Sequence, residues 1–182
     1  MTRIDMGEFN NRYIIDEGPM DLKQLAAHGF KIAKGIIEEG NSLEAIFLIL
    51  GPEMCGMHPI ARVPVRWSCP DEKLHVFDMV RRALRDTKSY GYVFICEAWV
   101  SKVGKDGVRP SRMPSEDPNR TEVLMVSGHD QDGHSIWLSG EITREDGVVS
   151  VSEPEPHMSR DEGFGNAANF LKLPEELVGT KH

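Results

Sequence analysis

Apolar residues recur at helical spacing from Leu22 to Ile37: Leu22, Leu25, Ala26, Gly29, Ile32, Ala33, Ile36 and Ile37. That is the pattern of one buried helix face. Asp21 with Gln24 three residues on is a capping-box signature, and Gly40 suits the position after the helix end. The spacing predicts a first helix over 21–39. The pattern then changes. Ala45 to Leu50 is continuously apolar and stops at Gly51-Pro52, which predicts a strand covered on both faces. Residues 52–59, rich in Gly, Pro and Met, read as a loop. From Ile60 to Trp67 the chain alternates, with Ala61, Val63, Val65 and Trp67 on one face. Pro64 has no N–H to donate, so this strand belongs at an edge or carries a bulge. A second helix follows over 71–88, with Leu74, Phe77, Val80 and Leu84 as its apolar stripe. Arg81, Arg82 and Arg85 form its outer face.

Tyr92 to Val100 predicts another strand, and 101–119 a long loop. Glu122 to Ser127 and Ser135 to Thr143 predict two strands around a tip at 129–134, where Asp132-Gly133 is a hairpin signal. These elements predict the α+β class. The expectation is a single domain with a mostly antiparallel sheet of about five strands and two packed helices. The element order is α-β-β-α-β-β-β, with a further short helix over 167–173. The domain is expected over 20–145, preceded by an N-terminal arm over 1–19. An acidic linker and C-terminal tail follow over 146–182.

Composition narrows the class. At 182 residues the chain fits one domain, and 40% hydrophobic with 27% charged residues excludes wholesale disorder. No apolar run approaches the roughly 20 residues of a membrane span, and the N-terminus lacks the apolar core of a signal peptide. A soluble, cytoplasmic protein is expected. The net charge of −8 disfavours generic binding to nucleic acid. The acidity lies in the flanks: residues 141–182 hold nine acidic and four basic residues, whereas 20–140 hold sixteen and fifteen. Three cysteines without a CxxC pair argue against a secreted disulfide framework. Cys96, inside an apolar strand, reads as a small buried hydrophobe.

Five groupings could carry chemistry. His129, Asp130, Asp132 and His134 sit at the hairpin tip. A four-residue loop would set the two histidines opposite each other, and a two-residue Asp132-Gly133 turn would make them diagonal. Either arrangement brings imidazole and carboxylate to one divalent ion, as a metal-assisted hydrolase needs. The plainer reading is a solvated turn. Cys55, His58 and Cys69, with His75 as a spare, could begin a zinc site, against the plainer reading of an unpaired thiol and a surface histidine. Glu97 stands on an apolar strand between Ile95 and Trp99, where a carboxylate must be paired or held neutral. It is a candidate general acid or base, and its plainer role is a salt bridge to Arg66 or Arg120. Lys102, Lys105, Arg109, Arg112 and Arg120, with Arg62 and Arg66 on the alternating strand, could meet a nucleotide, nucleic acid or acidic partner. The glycines of that loop match no phosphate-binding fingerprint. Finally, Phe164 and Phe170 stand in an apolar stretch that ends at Leu173. Such a segment can fold onto a partner or dock on its own sheet.

The runs Cys96-Glu97-Ala98-Trp99, Pro114-Ser115-Glu116-Asp117-Pro118-Asn119-Arg120-Thr121-Glu122-Val123-Leu124-Met125-Val126 and Asp132-Gly133 form a longer pattern. It resembles one in uncharacterised bacterial and bacteriophage proteins, an EAW followed by PSExPxRxEVLxV and a DG hairpin. The likeness covers about a third of the chain and implies no activity or catalytic residue. The element order also resembles that of roadblock-like and profilin-like domains, which serve largely as scaffolds. Within the pattern, Arg120 and Glu122 lie two apart on one strand face, within reach of Glu97 if the strands pair. This predicts an ion-pair lock between them. The function expected is that of a non-enzymatic accessory or protein-interaction domain of bacterial or phage origin. It would need no cofactor, bind a protein, and be able to form a homodimer. A metal-assisted hydrolase and a nucleotide or nucleic-acid binder are the alternatives.

Overall fold

A computed structural model of the chain describes residues 20–53, 56–101 and 116–157. The first helix, α1 (Leu22–Glu38), starts as its sequence dictates. The Gln24 N–H donates to Asp21 Oδ1 at 2.7 Å, and the Asp21 N–H donates to Gln24 Oε1 at 2.9 Å. Two of the N–H groups a helix start leaves unbonded are thereby satisfied. At the other end Gly40 adopts φ +80°, its N–H reaches the Ile37 carbonyl, and the Asn41 N–H reaches that of Ile36. This left-handed closure favours glycine.

The strands are β1 (Ile46–Glu53), β2 (Gly56–Pro64), β3 (Gly91–Ser101), β4 (Arg120–Asp130), β5 (Ser135–Glu145), β6 (Val148–Val151) and β7 (Glu155–His157). The second helix, α2 (Pro70–Asp86), joins β2 to β3. The sheet is antiparallel in the order β2-β1-β3-β4-β5-β6, with β7 also paired to β5. Six strands thus lie on one path, where about five were expected. The addition comes from the stretch read as linker. Asp146 and Gly147 both have positive φ, the geometry of a two-residue primed turn, and they return the chain along β5. Val151 is buried in the core. The sheet therefore extends to His157 rather than ending at 145. The expected loop over 52–59 is likewise strand on both sides of 54–55. The N-terminal arm, the helix over 167–173 and most of the tail lie outside the described residues.

Side chains alternate between two cores. Leu25, Ala26, Phe30, Ala33 and Ile37 of α1 pack on Val93, Ile95, Leu124, Val126 and Leu138. Small residues bring this helix close: a Cβ on Gly29 would stand 2.9 Å from Ile95, and one on Gly140 would stand 2.7 Å from the Phe30 ring. On the opposite face α2 presents Val76, Phe77, Val80 and Leu84 to Phe47, Ile49, Tyr92, Phe94 and Cys96. Here large rings fill the gap. Phe47 stacks on Phe94 at 4.3 Å and meets Phe77 edge-on at 5.9 Å. Leu74, expected in the buried stripe, is 58% exposed. It shares its row on the helix with Asp78, Arg81 and Arg85, away from the line of Phe77, Val80 and Leu84.

β2 is the edge strand that Pro64 implied, and it carries a bulge where Ile49 pairs Ala61 but Leu50 pairs Pro59. Pro59 and Pro64 both withhold an N–H, which makes this edge a poor template for another strand. No described helix is long and apolar enough to cross a membrane.

Candidate functional site

The hairpin between β4 and β5 brings together, among the described residues, a group of three potential metal ligands. Its tip is a three-residue loop, Gln131 to Gly133, with Gly133 at φ +80°. The Gly133 N–H donates to the Asp130 carbonyl at 3.3 Å, and the Asp130 N–H donates to that of His134 at 3.2 Å. This is a turn closed by a left-handed glycine. Neither loop length considered from the sequence holds, so the histidines are neither opposite nor diagonal. His129 pairs with Ser135. It points to the α2 face, where its ring lies 5.3 Å from that of Tyr92. Asp130, one residue on, points to the other face.

The group that does converge is Asp130, Asp132 and His134, whose potential ligand atoms lie within 4.8 Å of one another. Asp130 is buried, with only 5% of its side chain exposed. Its Oδ1 accepts the His134 N–H at 2.9 Å, and its Oδ2 accepts Nδ1–H of the same ring at 2.9 Å. That bond fixes the tautomer and leaves Nε2 as the nitrogen Asp130 does not engage. Asp132 accepts a hydrogen bond from the Tyr90 hydroxyl. This contact raises the tyrosine pKa above its ordinary value, because the phenolate would face a carboxylate. Gln131 staples the tip to the turn before β3: its N–H reaches the Tyr90 carbonyl at 2.8 Å and its amide reaches that of Ser89 at 2.5 Å. Burial pushes the His129 pKa down, partly offset by Asp130, so this ring is held neutral against Tyr92. A buried carboxylate orienting an exposed imidazole, with a second carboxylate beside it, can ligate a divalent ion or hold a proton. Tyr90 and Gln131 were not singled out from the sequence. Their roles depend on the α2–β3 turn lying against the hairpin, which no local pattern announces.

The other candidates are dispersed. Glu97 is paired, but through neither arginine expected. Its Oε1 accepts the Leu43 N–H at 3.0 Å and its Oε2 lies 3.4 Å from Arg144 of β5. Arg144 also grips Glu122 with two bonds of 3.0 Å, which holds the Glu122 carboxyl below its ordinary pKa. Arg66 is held by Glu44, and Arg120 lies over the Trp99 ring at 4.2 Å. Arg62 stands on β2 opposite Leu48. The ion-pair lock between β3 and β4 therefore exists, with its cation on β5. Cys69 occupies the position before α2 without a side-chain cap bond and His58 is on β2, and the described residues do not assemble them with His75. Burial pushes the Cys96 thiol up to about 12, the condition of an inert core cysteine. Cys55, Lys102, Lys105, Arg109, Arg112, Phe164 and Phe170 lie outside the described residues.

One further feature is a projection. β3 and β4 pair along their full lengths, but β1 follows β3 only to Ile95 and β5 follows β4 only to Val123. Trp99 to Ser101 and Arg120 to Glu122 are thus a two-stranded ribbon beyond the rest of the sheet. Trp99 is 43% and Val100 41% exposed, on opposite faces.

No curated protein and no solved structure matches the chain. A family model matches residues 2–173, nearly the whole length, and the chain belongs to the family described as bacteriophage lambda protein ea47.

Proposed function

We propose that the chain is a non-enzymatic accessory domain of a bacteriophage that acts in the host cytoplasm by binding another protein. The β3–β4 ribbon is the surface it presents. The observation that supports this reading is the pair Trp99 and Val100, exposed on both faces of a ribbon that has no other strand neighbour among the described residues. Aromatic residues with an arginine beside them are the commonest energetic centres of protein interfaces, and Arg120 already lies on the Trp99 ring. The test places a photo-crosslinking amino acid at position 100, identifies the protein trapped in a bacterial extract, and titrates the purified pair. Trp99→Ser with Val100→Ser is expected to weaken binding at least about tenfold and leave the melting temperature nearly unchanged. Unaltered affinity, or a loss that appears only with unfolding, defeats the reading.

A second reading rests on the Asp130, Asp132 and His134 group, which suits a divalent ion of the zinc or manganese type. Titration with each metal, followed by native mass spectrometry, checks it. One ion is expected to bind the full chain, and His134→Ala is expected to reduce affinity by roughly 10–100-fold. A bare mass at saturating metal removes this reading and leaves the first intact.

A further inference from the structure

The two faces of the sheet are unequally covered. α1 lies over β3, β4, β5 and β6 on one side. On the other side the α2 core takes in residues of β1, β2 and β3, but of β4 and β5 it reaches only Met125. The rest of that face includes Val123, Ser127, His129, Ser135, Trp137 and Ser139, with Ser127 directly opposite Trp137. No described element lies over this half. Yet Ser127 is only 4% exposed, and its hydroxyl is closed off from solvent without a hydrogen-bond partner. A buried, unbonded hydroxyl on a half-face that no described helix covers marks a place where a further group belongs.

We propose that this half-face is the docking site of the chain's own C-terminal segment, Phe164 to Leu173. Five observations select that occupant. β7 ends at His157, whose pairing partner is Trp137, so the chain leaves the sheet beside the face in question. Six residues, 158–163, separate His157 from Phe164. They can span about 20 Å, whereas β4 lies only about 10 Å beyond the β7 edge at ordinary strand spacing. Phe164, Ala167, Ala168 and Leu171 stand at i, i+3, i+4 and i+7, one apolar face of a short helix. Asn166 and Asn169 offer amide groups able to satisfy the Ser127 hydroxyl. The family match runs through residue 173, so this segment belongs to the same family unit as the sheet. Docked there, it gives the β4–β5 half-face the cover that α2 gives the β1–β3 half. The proposal is independent of the ribbon reading, which concerns a different part of the sheet.

The experiment uses the full chain with benzoylphenylalanine in place of Phe164, irradiated as an equal mixture of isotopically heavy and light protein. Intramolecular crosslinks to peptides containing Met125 or Trp137 are expected. Crosslinks joining heavy to light chains would assign the face to a second copy and overturn the proposal. Crosslinks to the α1 face, or none, would also overturn it. Hydroxyl-radical footprinting gives an independent readout, since methionine oxidation follows exposure. Phe164→Ser with Leu171→Ser in the full chain is expected to raise the oxidation rate of Met125 several-fold. An unchanged rate rejects the docking.

Discussion

Replacing Phe47 by alanine is expected to lower the unfolding free energy by about 3–5 kcal/mol. Phe47 is fully buried in the α2 core, where three other rings meet it. It stacks on Phe94 at 4.3 Å and 24°, meets Phe77 edge-on, and lies 5.7 Å from Tyr92. Truncation removes the burial of a large apolar side chain and leaves a cavity that rigid ring neighbours cannot close. On the α2 side, Phe77 bridges helix to strand through its ring contact with Phe47 and also meets Trp67, so one missing ring loosens the layer. Single domains are stable by only about 5–15 kcal/mol, so the variant would stand near the limit of folding. Urea denaturation checks this. The midpoint is expected to fall with the slope unchanged, while Phe47→Leu should lose about half as much or less. A loss below about 1 kcal/mol for the alanine variant would mean that α2 does not depend on this ring.

The helices were legible because their signals are local. The Asp21–Gln24 box and the 3.6-residue stripe need no tertiary information. The alternation of Ala61, Val63, Val65 and Trp67 was legible for the same reason, and all four face the α2 core. The last strands were hidden by composition. Pro154, Pro156 and the surrounding acids suggest a linker, but Asp146-Gly147 carries the same hairpin signal as Asp132-Gly133 and marks the return strand. At the site, Asp132-Gly133 located the hairpin but not its loop length. That length decides that His134 joins Asp130 while His129 turns to the opposite face. Tyr90 and Gln131 could not be found by pattern, since their bonds cross 42 residues of sequence. The partner of Glu97 escaped for a related reason. The register sets Glu122 opposite Trp99, Arg120 moves onto the Trp99 ring, and the nearest cation comes from β5.

That cation carries the second large effect. Arg144→Met is expected to cost about 1–3 kcal/mol, more than an exposed ion pair is worth. Glu97 and Glu122 keep only 25% and 18% of their side chains exposed, and Arg144 is the cation bonded to both. Without it two carboxylates share a half-buried site, and the loss is chiefly the penalty of stranding them. Adding Glu122→Gln should therefore recover most of the loss, since the glutamine carries no charge. Acid should also erase the difference. Arg144 holds the folded pKa of Glu122 below 4.5, so the bond stabilises fully above that value. Its contribution disappears as pH falls through the lower folded pKa, where the protonated carboxyl no longer attracts the guanidinium. Melting temperatures of wild type and Arg144→Met should thus be well separated near neutrality and converge as the pH falls from 4.5 through the lower folded pKa of Glu122. A gap that stays constant to the acid limit would place the cost in lost packing of the arginine stem, and the ion-pair lock would then hold nothing together.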